Sequence, residues 1–244
     1  KYNVNVNCNN AKCRWNPKTW KLEITKITGT VTCDVSFNSN VSNLTTVVNN
    51  KATRNANGKR YQGKNPNNYI WFNDELWRII GNIPVCLTSG CATTENRVKI
   101  IRNDSIGAIK YDESSSTWMG SNIQNLLNIC YLGKKSSCDS YCYSNATFAK
   151  GTCDYSSDGI DATDFYGKMV EDVYFNVGAG DSTYKTAANY YTQEIATHTT
   201  STSKIGLMHA SDWGYAIEGF TGIIGNDGLS SSSISHSSDK NWLM

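Results

Sequence analysis

The amino-acid sequence predicts an α+β protein, with a small all-β module at the amino terminus followed by a larger domain that mixes strands and helices. Three observations support this prediction. Apolar and polar residues alternate within the first 50 residues and again over 69–107, as expected for strands with one buried face. Further along the chain, apolar residues recur at helical spacing. Nine cysteines among 244 residues indicate loops closed by disulfides.

The first module is predicted to cover residues 1–50. Three segments alternate between apolar and polar residues, and Asn-Pro and Thr-Gly pairs mark turns between them. Several short strands of this size are typical of a small β-sandwich-like unit. The segments are Tyr2–Val6, Trp20–Thr25 and Thr30–Phe37.

Residues 51–68 are predicted to form a linker. The stretch is polar, and repeated Asn, Gly and Pro residues interrupt any periodicity. The second domain is therefore expected to cover 69–244.

A β meander opens the second domain. Tyr69–Gly81 is predicted to be two strands joined by a tight turn at Asn73-Asp74, and Val98–Gly107 supplies a third strand. We expect Trp71 and Trp77 to lie in the core.

Two or three helices are predicted after the meander. Trp118–Cys130 has an apolar stripe, and Ser121 is a suitable N-cap. Apolar stripes also run through Asp164–Val177 and through a helix that contains Ala187, Tyr191 and Ile195. The last predicted elements are a buried strand and a Gly/Ser-rich loop, at Lys204–Ser211 and Gly219–Lys240.

The composition limits the choice of partners. Charged residues make up only 18% of the chain and the net charge is +2. Phosphate binding needs clustered Lys and Arg, so we expect no nucleic-acid partner. The sequence lacks a run of 18 apolar residues, which predicts no membrane span in this chain. Because the chain starts at Lys1 without a signal peptide, we interpret it as a processed product whose export or anchoring signal lay upstream.

The cysteines predict an oxidising compartment, and therefore a secreted or cell-surface protein. Their spacing does not fit a zinc site, because no Cys-x-x-Cys pair occurs and the three His are isolated. Local disulfides fit better. The predicted pairs are Cys86 with Cys91, Cys130 with Cys138, Cys142 with Cys153, and Cys33 with either Cys8 or Cys13. The cysteine left over would be free or bonded outside the chain.

Five sequence segments in the second domain are informative together. They are Tyr69–Gly81, Val98–Tyr111, the Cys142–Cys153 loop, Ile205–Ala216 and Asn241-Trp-Leu. In this order, and covering most of residues 69–244, they resemble an uncharacterised family of secreted and surface proteins from gut-dwelling, low-GC Gram-positive bacteria. The N-terminal pattern from Trp15 to Phe37 also resembles the small β-module that precedes this domain in the family.

The resemblance implies a C-type-lectin-like domain, similar to the non-catalytic frame of formylglycine-generating enzymes. The cysteine motif of those enzymes has no match here, so their chemistry is not carried over. Family members usually continue past the Asn-Trp-Leu phrase into a further strand segment, which this sequence lacks. We expect either a processed or cut chain, or completing strands supplied by a neighbouring copy.

A calcium site is the first specific hypothesis, because lectin-like folds often bind sugar through this ion. Asp158, Asp161 and Asp164 offer three carboxylates within seven residues. The EF-hand spacing is not met. The alternative is that Asp161 or Thr163 caps the following helix and the other carboxylates are solvated. Calcium is the one cofactor that the sequence suggests.

Aromatic residues near loops are the second hypothesis, since planar rings stack on sugars. Trp118 lies near such a loop as well. The candidate ligand-binding residues are Trp213, Tyr215, Phe220, Asn226 and Asp227.

Catalysis is not expected. His209 is the best candidate base, because it lies beside Ser211 and Asp212, but such a residue at a strand end is more often structural. The sequence therefore predicts a non-enzymatic extracellular structural or interaction protein, such as an appendage or filament subunit or an adhesin. Its partners would be further copies of itself, or host or cell-surface glycans or proteins. The alternative is a lectin-like carbohydrate-binding module, assisted by calcium.

Overall fold

The computed structural model describes residues 2–16, 19, 21–39, 43–107, 109–138, 141, 153–175, 185–196, 201–218, 223–224 and 242. The chain divides into two compact units, Lys1–Val47 and Val48–Met244. Antiparallel sheets and helices both occur in the described residues, which confirms the predicted α+β class.

The first unit contains two antiparallel pairs of strands. The first and last strands pair with each other, and so do the second and third. The strands are β1 (Tyr2–Cys8), β2 (Lys12–Asn16), β3 (Lys21–Thr25) and β4 (Cys33–Ser39).

The disulfide of the first unit lies at the ends of β1 and β4. Cys8 and Cys33 are directly opposite each other in the register and are bonded, which resolves the choice between Cys8 and Cys13. Cys13 on β2 carries a free thiol.

The second unit is built on an antiparallel sheet. A helix, α1 (Leu44–Lys51), contains the boundary between the two units. The later strands are β5 (Arg54–Asn55), β6 (Lys59–Arg60), β7 (Tyr69–Phe72), β8 (Glu75–Cys86), β9 (Thr94–Arg102), β10 (Val173–Tyr174), β11 (Lys185–Thr186), β12 (Thr202–Ser203) and β13 (Ile223–Ile224).

The long strand β8 is the centre of this sheet, because β6, β7, β9 and β10 all pair with it. The order β12-β10-β8-β6-β5 gives the rest of the sheet, and β11 pairs with β13 separately. The tight turn between β7 and β8 is confirmed. Asn73 and Asp74 have φ values of 52° and 56°. A two-residue turn of this type needs positive φ at both positions.

The helices of the second unit are short. The predicted N-cap is confirmed, because the Ser121 side chain accepts a hydrogen bond from the Gln124 backbone. The helices are α2 (Asn122–Asn125), which continues as a π-helical segment over Leu126–Tyr131, α3 (Ala187–Ala196) and α4 (Ala210–Ala216).

The core lies between the inner face of the β7–β8 hairpin and the α2 segment. Phe72 and Trp77 pack there against Leu126 and Trp118. Two further predicted disulfides are confirmed, Cys86–Cys91 and Cys130–Cys138. Cys153 is also disulfide-bonded, whereas its predicted partner Cys142 lies outside the described residues.

The predicted linker over 51–68 is instead part of the second unit. It forms β5 and β6, and it contains the buried residues Arg60, Tyr61 and Asn68. Its polar composition suggested exposure. Polar side chains are tolerated in the interior when they are hydrogen-bonded, and Asn68 donates to the Ile79 carbonyl while accepting from Arg78.

The helix predicted over Asp164–Val177 is wrong. The chain forms a 3-10 turn at Gly167–Met169 and then enters β10. Local hydrogen bonds compete with a helix here, since the Asp164 carboxylate accepts from the Gly167 backbone at 2.7 Å. Phe165 and Met169, which were expected on a buried stripe, are 72% and 55% exposed.

The strand predicted over Lys204–Ser211 is also wrong. The strand β12 ends at Ser203, and α4 begins at Ala210. The Asn128 side chain supplies hydrogen-bond partners for the backbone at the start of the segment between β12 and α4. Its carbonyl oxygen accepts from the Lys204 and Ile205 N–H groups at 2.9 and 3.0 Å, and its amide donates to the Ile205 carbonyl.

Candidate functional site

A buried cluster of charged side chains surrounds Asp212 on α4. Arg60 Nη1 on β6 donates to Asp212 Oδ1 at 2.7 Å, and Lys99 Nζ on β9 donates to Oδ2. Lys99 Nζ is also 3.0 Å from His209 Nδ1. The His209 backbone N–H donates to Oδ2, so the carboxylate also caps the start of α4.

The cations around Asp212 keep it ionised. Burial by itself would raise the pKa of this carboxyl, because it disfavours the charged form. The positive charges of Lys99 and Arg60 outweigh burial, and the pKa lies well below its usual range. The side chains of Asp212 and Arg60 are each 1% exposed, so this is a buried ion pair.

A second buried carboxyl, that of Glu194 on α3, is hydrogen-bonded to Ser211, the residue before Asp212 on α4. Its two oxygens accept from the Ser211 hydroxyl at 2.5 Å and from the Ser211 N–H at 3.0 Å. Burial raises the pKa of Glu194, and the two hydrogen bonds from Ser211 offset only part of that effect.

The cluster joins β6, β9 and α4 through Arg60, Lys99 and Asp212. An enzyme needs a nucleophile that is both within reach of a base and open to substrate. Ser211 and Asp212 are 1% and 2% exposed, and Ser211 directs its hydroxyl at Glu194. This arrangement is suited to holding three elements together.

The structure places two of the predicted ligand-binding aromatics in the interior. Trp213 and Tyr215 are each 4% exposed. The Tyr215 hydroxyl accepts from Asn57 Nδ2 at 2.6 Å, and its ring packs beneath the guanidinium of Arg60. Trp118 is likewise buried and donates to Ser203 Oγ. Rings in such positions do not present a face to a sugar. The other predicted residues, Phe220, Asn226 and Asp227, lie outside the described residues.

The three predicted calcium ligands are engaged locally or exposed. The Asp161 carboxylate accepts from the Thr163 backbone and hydroxyl at 2.8 and 2.7 Å, which lowers the pKa of Asp161. The Asp164 carboxylate accepts from Gly167, and Asp158 lies on an exposed turn. In the part of the chain that the structure describes, no group of three His, Cys, Asp or Glu residues is arranged to hold a metal ion.

The clearest exposed feature is the outer face of the β7–β8 hairpin. Trp71 is 64% exposed, its cross-strand neighbour Leu76 is 36% exposed, and Tyr69 is 45% exposed. We call these three residues the hairpin face. The opposite face of the same hairpin, with Phe72 and Trp77, is buried in the core.

Cation–π stacking supports the hairpin face from one side. The Arg78 guanidinium lies 4.1 Å from the centre of the Tyr69 ring and 4.7 Å from that of Trp242. Arg78 Nε also donates to Asn68 Oδ1 at 2.8 Å. The Tyr69 ring is thus held by a buried, hydrogen-bonded cation.

The expectation that Trp71 lies in the core is wrong, whereas Trp77 is buried as expected. The signal that locates Trp71 is the turn itself. A two-residue turn at 73–74 places Trp71 opposite Leu76 and Tyr69 opposite Arg78, so these four residues share one face. Alternation counted through the turn assigns Trp71 to the face of Trp77.

The protein is thus an α+β protein with a buried ion network and an exposed aromatic hairpin face. No family model, curated protein or solved structure matches the chain. Among the described helices, none is long and apolar enough to cross a membrane.

Proposed function

We propose that the protein is a non-catalytic, extracellular structural or interaction protein, such as an appendage or filament subunit or an adhesin, with a lectin-like second domain. The observation that carries the proposal is the hairpin face. A Trp that is 64% exposed, beside an exposed Tyr and Leu, is typical of a contact surface. Because the other side of the hairpin is fixed in the core, the face is rigid before contact.

The buried cluster supports a non-catalytic role. The two oxygens of Asp212 are occupied by Arg60 and Lys99, and the Glu194 carboxylate is occupied by Ser211. A buried network whose carboxylates are occupied in this way specifies how elements pack.

The disulfides support an extracellular location. Three bonded pairs are described, Cys8–Cys33, Cys86–Cys91 and Cys130–Cys138. Disulfides of this kind persist in oxidising environments and are rare in the cytosol.

A carbohydrate-binding module is the second candidate function. The exposed indole of Trp71 favours it, since a planar ring stacks on the apolar face of a sugar. Tyr69, two residues away on the same face, would extend that platform.

The test compares the wild type with Trp71→Ala and with Phe165→Ala as the matched control. Both residues are highly exposed aromatics, at 64% and 72%, but only Trp71 belongs to the hairpin face. Sedimentation velocity over a concentration series measures self-association, and a glycan array with and without calcium measures sugar binding. We expect the wild type and Phe165→Ala to self-associate and Trp71→Ala to associate more weakly.

Glycan binding by a monomeric wild type, lost in Trp71→Ala, would favour the second function. If Trp71→Ala matches the wild type in both assays, the hairpin face is not the contact surface and the proposal fails.

A further inference from the structure

The outer edge of β7 carries unpaired backbone groups. Residues of antiparallel strands alternate between pairs that exchange backbone hydrogen bonds and pairs that do not. The Ile79 N–H donates to the Asn68 carbonyl at 2.7 Å, so this position is a hydrogen-bonded pair. Three steps of alternation, from Asn68–Ile79 through Tyr69–Arg78 and Ile70–Trp77, then make Trp71 and Leu76 a non-bonded pair. In agreement, the Leu76 carbonyl accepts from Asn103, on the side away from β7.

It follows that the N–H and C=O groups of Tyr69 and Trp71 point away from β8, along the free edge. Within the residues that the structure describes, β7 pairs only with β8. The same two residues also have exposed side chains on the hairpin face.

The described strand β7 lacks three of the features that protect sheet edges against pairing. Edge strands are often shielded by charged residues, Pro or bulges. The strand β7 reads Tyr-Ile-Trp-Phe, without a charge or a Pro, and its register with β8 is regular. An uncharged strand also suits a copy of itself, because no like charges meet across a two-fold axis.

We propose that β7 pairs antiparallel with β7 of a second copy of this chain, joining two sheets edge to edge. This inference rests on the proposed function, since it names the surface and register through which copies associate. The best register places Ile70 opposite Ile70 of the partner subunit.

In that register, Tyr69 lies opposite Trp71 of the partner subunit, and Trp71 opposite Tyr69 of the partner subunit. Both positions direct their free backbone groups outward, so each is a hydrogen-bonded pair. Directly opposite residues lie on the same face of a sheet. The exposed rings of the two copies therefore meet on the hairpin face, while both Ile70 side chains stay on the inner face.

The register is tested by cross-linking Ile70→Cys in a Cys13→Ser background, which removes the free thiol. Opposite residues of a non-hydrogen-bonded pair have Cα atoms roughly 4.5 Å apart. That separation is within the range that disulfides accept. We expect Ile70→Cys to form a covalent dimer under mild oxidation, seen by intact mass and by non-reducing gel. Leu76→Cys in the same background is the control, since Leu76 is exposed but does not lie on the edge strand.

A second variant, Trp71→Pro, tests the backbone pairing. The Trp71 N–H points away from β8, so Pro at this position removes an outward donor and no bond of the hairpin. We expect self-association, measured by sedimentation equilibrium, to be weaker in Trp71→Pro than in Trp71→Ala, which lacks the same ring but keeps the N–H donor. The Phe165→Ala control should associate like the wild type.

The outcomes separate the two proposals. If copies associate, Trp71→Pro associates no more weakly than Trp71→Ala and Ile70→Cys gives no cross-link, the β7 pairing is overturned and the proposed function stands. If the wild type is monomeric at every concentration and Ile70→Cys gives no dimer, the pairing fails together with the filament form of the function. If a glycan instead binds over Trp71 and no dimer forms, the occupant of the hairpin face is a glycan, and this result also overturns the pairing.

Discussion

Glu194 and Asp212 are buried carboxyls in one neighbourhood, yet their surroundings shift their pKa values in opposite directions. Asp212 contacts two cations, which hold its pKa low despite burial. Glu194 accepts from the neutral donors of Ser211, whose effect is smaller than that of burial, so its pKa is raised. Asp212 therefore contributes stability above pH 3.8, its ordinary value, and that contribution is lost at lower pH.

The raised pKa of Glu194 predicts the opposite dependence on pH. Above pH 4.5, its ordinary value, the folded state binds more protons than the unfolded state, so the contribution of Glu194 to stability decreases as the pH rises. In Glu194→Gln this dependence should disappear. We expect the free energy of unfolding of the wild type, minus that of Glu194→Gln, to be highest at pH 4.5 and below and to fall as the pH rises towards neutral. Urea denaturation across this range measures it.

The control for this titration is Glu113→Gln, since the Glu113 side chain is 55% exposed. The unfolding free energies of this variant and of the wild type should run parallel with pH. Parallel curves for Glu194→Gln as well would contradict the raised pKa.

The ion network shows the limit of sequence reasoning at the residue scale. His209 and Asp212 are neighbours in the chain, and the sequence singles out His209 as the candidate base. Lys99 lies 113 residues from Asp212, and Arg60 lies 152 residues away. Only the folded sheet brings these residues together, so the charge balance of the cluster could not be predicted.

At the scale of elements, the hairpin was predictable and its faces were not assigned correctly. The Asn73-Asp74 turn specifies both the pair of strands and the register. The same turn pairs Trp71 with Leu76, which would have placed Trp71 outside. The helix predicted over 164–177 failed for a different reason. The sequence does have apolar residues at helical spacing there, but the pattern does not show that the backbone folds back on itself. Gly167 lies so close to Asp161 that an added Cβ would be 2.0 Å from the Asp161 carbonyl oxygen.

In the segment that follows β12, the Asn128 side chain makes the backbone hydrogen bonds that a neighbouring strand would otherwise make. Its side chain bonds the backbone of Lys204 and Ile205. Asn128→Ala would leave three partly buried backbone groups without partners, at an expected cost of about 1–3 kcal/mol in the free energy of unfolding. Hydrogen exchange should also become faster at the Lys204 and Ile205 amides. Asn125→Ala on the preceding helical turn is the control, since among the described residues the Asn125 side chain makes one hydrogen bond, to the Gly120 carbonyl at 3.4 Å. Equal stability of the two variants would contradict the role of Asn128.

At the scale of the whole molecule, the two units differ in what stabilises them. The second unit has an aromatic and aliphatic core that includes Trp118, Leu126 and Ile160. In the first unit, none of the side chains whose exposure is described is as buried as the residues of that core. A unit as short as Lys1–Val47 rarely folds on hydrophobic burial alone. The sequence predicted β1, β3 and β4 in the first unit and the β7–β8 hairpin with β9 in the second, but the alternating pattern does not reveal how little the first unit buries.

The Cys8–Cys33 disulfide is therefore expected to decide whether the first unit folds. The bond closes a loop of 25 residues and joins β1 to β4 in register. Removing it should cost about 3–4 kcal/mol in a loop of this size. We expect Cys8→Ser/Cys33→Ser to unfold residues 2–39 while the second unit keeps its stability, because the second unit has its own core and its own disulfides. Hydrogen exchange with mass spectrometry separates the two, since protection should be lost in β1–β4 and retained in β8 and β9. Retained protection in β1–β4 would mean that strand pairing alone stabilises the first unit, and the disulfide would then be dispensable.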